Sequence, residues 1–163
     1  MDLQQAIVAS MTQSDFVVNA YLADLTPEDL LARPVPSANH IAWQLGHLIA
    51  SERYLIDKAV PGAMDALPPG FEAQHKKETA DKQGASDFLS KEEYLSLARK
   101  VRANTLRIAR ELAPADFDRP LGAGVPPVVK TAGEMFLFVG AHWLMHAGQW
   151  AILRRTRGRA PLF

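Results

Sequence analysis

Met135–Leu153 reads MFLFVGAHWLMHAGQWAIL, nineteen residues without Asp, Glu, Lys or Arg, and the assignment of this run decides the fold. It is long enough to span a bilayer, and Arg154, Arg155, Arg157 and Arg159 follow it like a cytoplasmic flank. It also has the character expected of the central helix of a bundle, apolar nearly all round, with its terminal arginines set against the helix dipole. His142, His146 and Gln149 argue against lipid. So do three further stretches that read as amphipathic helices, whose apolar stripes need a partner.

Those stretches emerge by working outward. Thr131-Ala132-Gly133-Glu134 is a capping box that opens the last helix, which runs through about Arg155. Ser90-Lys91-Glu92-Glu93 is a second box, opening a helix that ends near Pro114. Between Leu3 and Leu25, the positions Ile7, Met11, Ser14, Val18, Tyr21 and Leu25 alternate spacings of four and three, the stripe of a first helix. Thr26-Pro27-Glu28-Asp29 reads as an N-cap with proline at the first helical position, a short turn closed by Arg33-Pro34-Val35-Pro36. Ser37 or Asn39 is the expected cap of the second long helix, which reaches about Lys58 before Pro61-Gly62. The pattern predicts four helices of about twenty residues and no strand: an all-α four-helix bundle, a single domain over residues 1–163. Residues 60–89, with Pro61, Pro68, Pro69, Gly70 and Gly84 around EAQHKKETADKQ, exceed an ordinary turn and are expected to form a crossover or a lid.

Lys+Arg and Asp+Glu are balanced at 18 each, and hydrophobic residues make up 48%, which excludes a disordered chain and a global nucleic-acid footprint. RRTRGR near the C-terminus reads as a solvated helix end. There is no cysteine, so disulfides, thiolate nucleophiles and cysteine zinc sites are excluded and the histidines and carboxylates are the available ligands. The first residues lack a basic segment followed by an apolar run, so a cytoplasmic protein without a membrane partner is expected.

The chemistry lies in the histidines. His142 and His146, four apart on one helix face, stand about 6 Å from each other and can aim at one point. Two hydrogen-bonded core histidines would look the same from spacing alone. Burying unpaired imidazoles among Phe136, Phe138, Val139, Trp143, Leu144 and Ile152 would cost about 1–3 kcal/mol each, and a shared cation would satisfy both. A third ligand is then needed, and His47, mid-way along the second helix, lies at the matching depth. His47 shares a stripe with Trp43, Ala50 and Tyr54, so Trp43, Tyr54 and Trp143 are the expected lining of a pocket, with Met135 and Phe138 deeper or on the packing side. His40, at the helix start, is expected to cap or to face solvent, and His75, in the charged loop, to be solvated. Gln44, Glu52, Glu134 and Gln149 are the polar residues placed to orient the rings. Three neutral imidazoles suit zinc, nickel, iron or copper and leave a position open. HExxH is absent, since Trp143 stands where that motif has glutamate, which excludes the zinc-protease mechanism.

SANHIAWQLGHLIASERYL (residues 37–55) and HWLMHAGQW (residues 142–150) together resemble the DinB-like superfamily, whose pattern is a histidine in the second helix and, about a hundred residues later, H-x-x-x-H-x-G-Q. The resemblance covers essentially the whole chain. It implies a bundle of up-down-down-up arrangement with a long crossover between helices two and three, a divalent metal on His47, His142 and His146, and a homodimer. Ala147 departs from the polar residue often found between the second histidine and the Gly-Gln pair. Characterised members include thiol-dependent S-transferases and isomerases, which implies an enzyme acting on a small molecule, with a low-molecular-weight thiol as cosubstrate, or a hydrolase. The alternative is a helical module that binds a metal or a small molecule without turnover, because no carboxylate can be assigned as general base.

Overall fold

The computed structural model describes residues 1–163, the side chain of Ala85 left aside. Four long helices, α1 (Leu3–Leu22), α3 (Ile41–Ala59), α5 (Lys91–Glu111) and α6 (Ala132–Thr156), are joined by segments that carry two short helices, α2 (Pro27–Leu31) and α4 (Phe71–Gln74), and 3₁₀ turns. There is no strand among the described residues, only an isolated bridge between Pro120 and Thr131.

Local chemistry sets the starts. The Ser90/Glu93 and Thr131/Glu134 capping boxes form as expected, and Asp2/Gln5 and Thr26/Asp29 make two more. Pro27 takes the first position of α2, where its missing N–H costs nothing. At the start of α3 the capping role expected of His40 is met and that of Ser37 or Asn39 is not. The His40 Nδ1 accepts the Trp43 backbone N–H at 3.1 Å. An imidazole nitrogen can serve as the cap acceptor when the ring is held neutral, and here Nε2 donates in turn to the Lys82 carbonyl, 3.0 Å away.

Cross-helix bonds fix the directions. Gln4, at the start of α1, donates to the carbonyls of Ala109, Arg110 and Leu112 at the end of α5, and Arg102 meets Met11 and Asp15. α1 and α5 are therefore antiparallel. Gly133 abuts Leu3, Gly140 abuts Met11 and Ser14, and Arg154 reaches Tyr21 and Asp24, so α1 and α6 run parallel. Gln44 meets Gln149 and Trp150 while Glu52 meets Trp143, so α3 opposes α6. The result is up-down-down-up. α3 and α5 run the same way and need the long connection 60–89, which folds over the bundle.

The core is one cluster. Ile7, Met11, Val18 and Leu22 of α1 pack with Leu45, Leu48, Ile49 and Ile56 of α3, Tyr94, Val101 and Ile108 of α5, and Met135, Phe136, Val139, Trp143 and Trp150 of α6. α6 is not the central helix its composition suggests. Its buried stripe runs through Phe136, Val139, Trp143, Ala147, Trp150 and Arg154, and the opposite face leaves Met145 59% and Ile152 47% exposed. A bundle of four is a ring with no central member, so every helix keeps an outward face. No helix among the described residues is long and apolar enough to cross a membrane.

The basic end of α6 is solvated in part, with Arg155 and Arg157 exposed, but it is also tied down. Arg154 is buried and pairs with Asp24, Arg157 meets Glu28 and Asp29, and Arg159 meets Asp24 and Asp29. Acids of the α1–α2 corner thus cover three of its arginines, pairings made between segments far apart in sequence.

Candidate metal centre

His47 projects from the middle of α3, and His142 and His146 from the middle of α6. Because these helices pack antiparallel, the two midpoints meet. The ring centroids lie 5.3 Å apart for His47 and His142, 5.6 Å for His47 and His146, and 5.0 Å for His142 and His146. One nitrogen from each ring lies within 4.8 Å of the others. Imidazole nitrogens bound at about 2.0–2.1 Å in tetrahedral geometry stand about 3.4 Å from one another, so small side-chain rotations bring the three to ligand distance. The group could hold a metal ion.

Its surroundings keep the rings in the state a metal needs. All three are half-buried. Burial, reinforced by the neighbouring imidazoles, pushes His142 and His146 down to about 4, and burial lowers His47 from its ordinary value. All three are therefore neutral near pH 7, with a lone pair free on each. Flat neighbours four residues away on the same helices clamp two of them: Trp43 stacks on His47 at 5.0 Å with planes 5° apart, and Phe138 stacks on His142 at 5.8 Å. Trp43 is itself held by its indole N–H, which donates to the Lys76 carbonyl and the Thr79 hydroxyl of the crossover.

The expected pocket residues part company. Trp43 lies against His47. Tyr54, about two turns beyond His47 along α3, is 45% exposed, and its hydroxyl faces Gly124 of the loop before α6. Trp143 turns into the bundle, donating its indole N–H to Glu52 at 2.7 Å. It helps to line a separate cavity of about 170 Å³ between α1 and α5, together with Leu45, Val18, Leu95 and Arg102. Met135 is fully buried, on the packing side.

Of the four polar residues placed to orient the rings, only Gln44 touches one: its Oε1 lies 3.0 Å from His146 Nδ1. Glu134 is used up by its cap, Gln149 bonds Gln44, and Glu52 is paired with Arg102 at 2.9 Å. The structure also overturns the solvated reading of His75. That ring is 2% exposed, its Nδ1 2.8 Å from the Phe71 carbonyl and its Nε2 2.7 Å from the Tyr94 hydroxyl. Its position against Gly46 was signalled by a glycine inside a helix, a residue that costs about 1 kcal/mol there unless something must come close.

An all-α bundle with three histidines from two antiparallel helices around one point is a fold and site of a recognisable class. The DinB superfamily model matches residues 13–150, and the chain belongs to that superfamily. Among solved structures, a conserved protein from Enterococcus faecalis matches with a TM-score of 0.69 at 16% identity, covering 98% of this chain and 99% of that one. An uncharacterised protein from Escherichia coli UTI89 matches with a TM-score of 0.66 at 14% identity, covering 97% and 96%. These two share the fold. No curated protein matches.

Proposed function

We propose that the protein is a metal-dependent enzyme acting on a small molecule, with His47, His142 and His146 as the protein ligands of a zinc or nickel ion, iron being the next choice by ligand type. The observation that carries this is the convergence of three neutral imidazoles on one point. Three ligands leave a coordination position open. A neutral donor set leaves the charge of a divalent ion uncompensated, which favours an anionic partner, and such an ion lowers the pKa of a bound thiol or water enough to make a nucleophile at neutral pH. A thiol-dependent transfer or a hydrolysis follows, with a low-molecular-weight thiol as the first cosubstrate to try. The protein's own part is to keep the rings neutral, to hold two of them under Trp43 and Phe138, and to present the open side to the substrate.

A chain without cysteine is compatible with a cytoplasmic setting. The apolar outer face of α6, with Leu137, Leu144, Met145 and Ile152 exposed, supports assembly as a homodimer. The balance of 18 basic and 18 acidic residues, with three arginines at the end of α6 paired to acids, speaks against a nucleic-acid partner.

The test is metal content by plasma emission of wild type and His146→Ala after loading with zinc or nickel. Stoichiometric metal in the first and its loss in the second, with helicity retained, support the site; equal content in both removes it. Turnover is then sought with common bacterial thiols and a panel of electrophiles. One observation favours a binding module instead: Glu52, the buried carboxylate of α3, is ion-paired with Arg102 and holds Trp143 through the same oxygen, which makes it a poor general base. A ligand bound at the metal without turnover would decide for the module.

A further inference from the structure

We propose that Gln44 is a positioning residue that sets the tautomer of His146, so that Nε2 rather than Nδ1 is the nitrogen this ring offers to a metal; the ligand role itself rests on the metal reading above.

The orientation of the Gln44 amide is settled by two partners that leave no choice. The Trp150 indole N–H can only donate, and it lies 2.7 Å from Gln44 Oε1. The Asn39 backbone carbonyl can only accept, and it lies 2.5 Å from Gln44 Nε2. Each anchor by itself puts the amide oxygen toward α6. That oxygen has no proton to give, so the ring nitrogen 3.0 Å away must carry one: His146 is protonated on Nδ1. The lone pair is then on Nε2.

The side chain is fully committed. One amide hydrogen goes to Asn39 and the other to Gln149 Oε1 at 3.0 Å, while the oxygen takes Trp150 and His146. All four hydrogen-bonding positions of the amide are used, at a residue with no exposed surface. A buried amide saturated in this way cannot turn over without orphaning several partners, each at a cost. A free neutral histidine favours the proton on Nε2. Gln44 reverses that preference before any metal arrives, as partners of metal-ligating histidines do when they bond the far nitrogen. The Gly-Gln-Trp run that follows His146 by two residues thereby acquires a role: Gln149 and Trp150 hold Gln44, and Gln44 holds the ring.

The experiment reads the proton directly. Metal-free protein with ¹⁵N-labelled histidine, near neutral pH, is examined by long-range ¹H–¹⁵N correlation. Wild type shows His146 protonated on Nδ1. In Gln44→Met, close in shape but without the acceptor, a large fraction of the proton moves to Nε2, and zinc affinity measured by chelator competition falls about 10- to 100-fold. Trp150→Phe, which removes the other donor to the same oxygen and leaves the Asn39 anchor, keeps the Nδ1 signature. If Gln44→Met does not fold, Gln44→Glu replaces it: an acceptor is retained and the proton stays on Nδ1. A wild-type His146 protonated on Nε2, or an unchanged signature in Gln44→Met, overturns the assignment. Failure of wild type to bind zinc removes the metal reading and with it the ligand role, whereas the metal-free spectrum decides the bond between Gln44 and His146 independently.

Discussion

The imidazole of His75 occupies the space that a side chain at Gly46 would fill: a Cβ at Gly46 would lie 2.0 Å from His75 Cδ2 and 2.2 Å from Nε2. No real contact is that short, so the ring and the glycine exclude each other's alternatives. The consequence for function is indirect but physical. His75 docks the crossover onto α3 one residue before His47, and the same crossover supplies the Lys76 carbonyl and Thr79 hydroxyl that hold Trp43 against the His47 ring.

Gly46→Ala is therefore expected to destabilise the protein by about 2–4 kcal/mol, from overpacking and from loss of the two hydrogen bonds of His75, despite the better helix propensity of alanine. Urea denaturation of the metal-free protein reads it. The diagnostic comparison is with His75→Ala as background, where the same Gly46→Ala change should be neutral or stabilising, since the clash has gone. Equal costs in both backgrounds would mean that the ring does not sit in the glycine's place.

Tyr94 makes the other end of that contact. Nδ1 of His75 donates to the Phe71 carbonyl, which can only accept, so Nε2 takes the proton of the Tyr94 hydroxyl. Tyr94→Phe should leave that nitrogen buried without a partner, at about 1–3 kcal/mol. A shift of the urea midpoint corresponding to less than a few tenths of a kcal/mol would contradict the bond.

Which of these features can be read in the chain before it folds depends on the distance over which they are made. The four caps at Asp2, Thr26, Ser90 and Thr131 are visible as short patterns, because donor and acceptor lie within three residues. His47, His142 and His146 are legible because helical spacing fixes two of them on one face and mid-helix depth supplies the third. His75 as a core residue and the arginines of α6 against Asp24 and Asp29 are not legible, since each is defined by a partner on another segment; His40 is legible as a cap, three residues from its partner, whereas its burial against Phe88 and its bond to the Lys82 carbonyl are not. EAQHKKETADKQ looks solvated in composition, and it is mostly exposed; one residue in it turns inward. Trp143 shows the same limit in reverse. Beside His142 in sequence, it points about a quarter-turn away from the histidine face, and its partner Glu52 is ninety-one residues distant.

That partner sets a third expectation. Glu52 is 1% exposed and pairs with Arg102 at 2.9 Å, while Glu52 Oε1 and Arg102 Nε have no partner. Removing one member leaves a buried charge uncompensated. Arg102→Met should cost about 3–5 kcal/mol, whereas the double change Glu52→Gln with Arg102→Met should recover much of it, because a buried pair stabilises little over neutral residues of similar volume. Thermal and urea unfolding of the three variants give the coupling. If the double variant is no better than Arg102→Met alone, the pair is contributing more than charge neutralisation.

Acidification gives the last. His142 and His146 are held down to about 4 in the folded chain by burial and by neighbouring imidazoles, His47 acting on His142 and both His142 and His47 on His146; His47, His40 and His75 are lowered as well, whereas an unfolded chain titrates its histidines near 6.5. Between those values the unfolded state binds more protons than the folded one, so stability must fall as the pH drops from about 6.5 toward 4 and must be flat above that window. Asp24 and Asp29, lowered by their arginine neighbours and the α2 cap, extend the loss below 4 as they are protonated. Urea midpoints of the metal-free protein across this range check the slope, and replacing His142 and His146 together by Gln should make it shallower. Added zinc should raise the midpoint across the range and leave the onset near 6.5, while carrying the low-pH end of the loss below 4, because a metal and a proton compete for the same nitrogen and the folded rings then protonate later. A wild-type midpoint that stays level from neutral pH down to 4.5 would show that the rings are not held neutral by their burial.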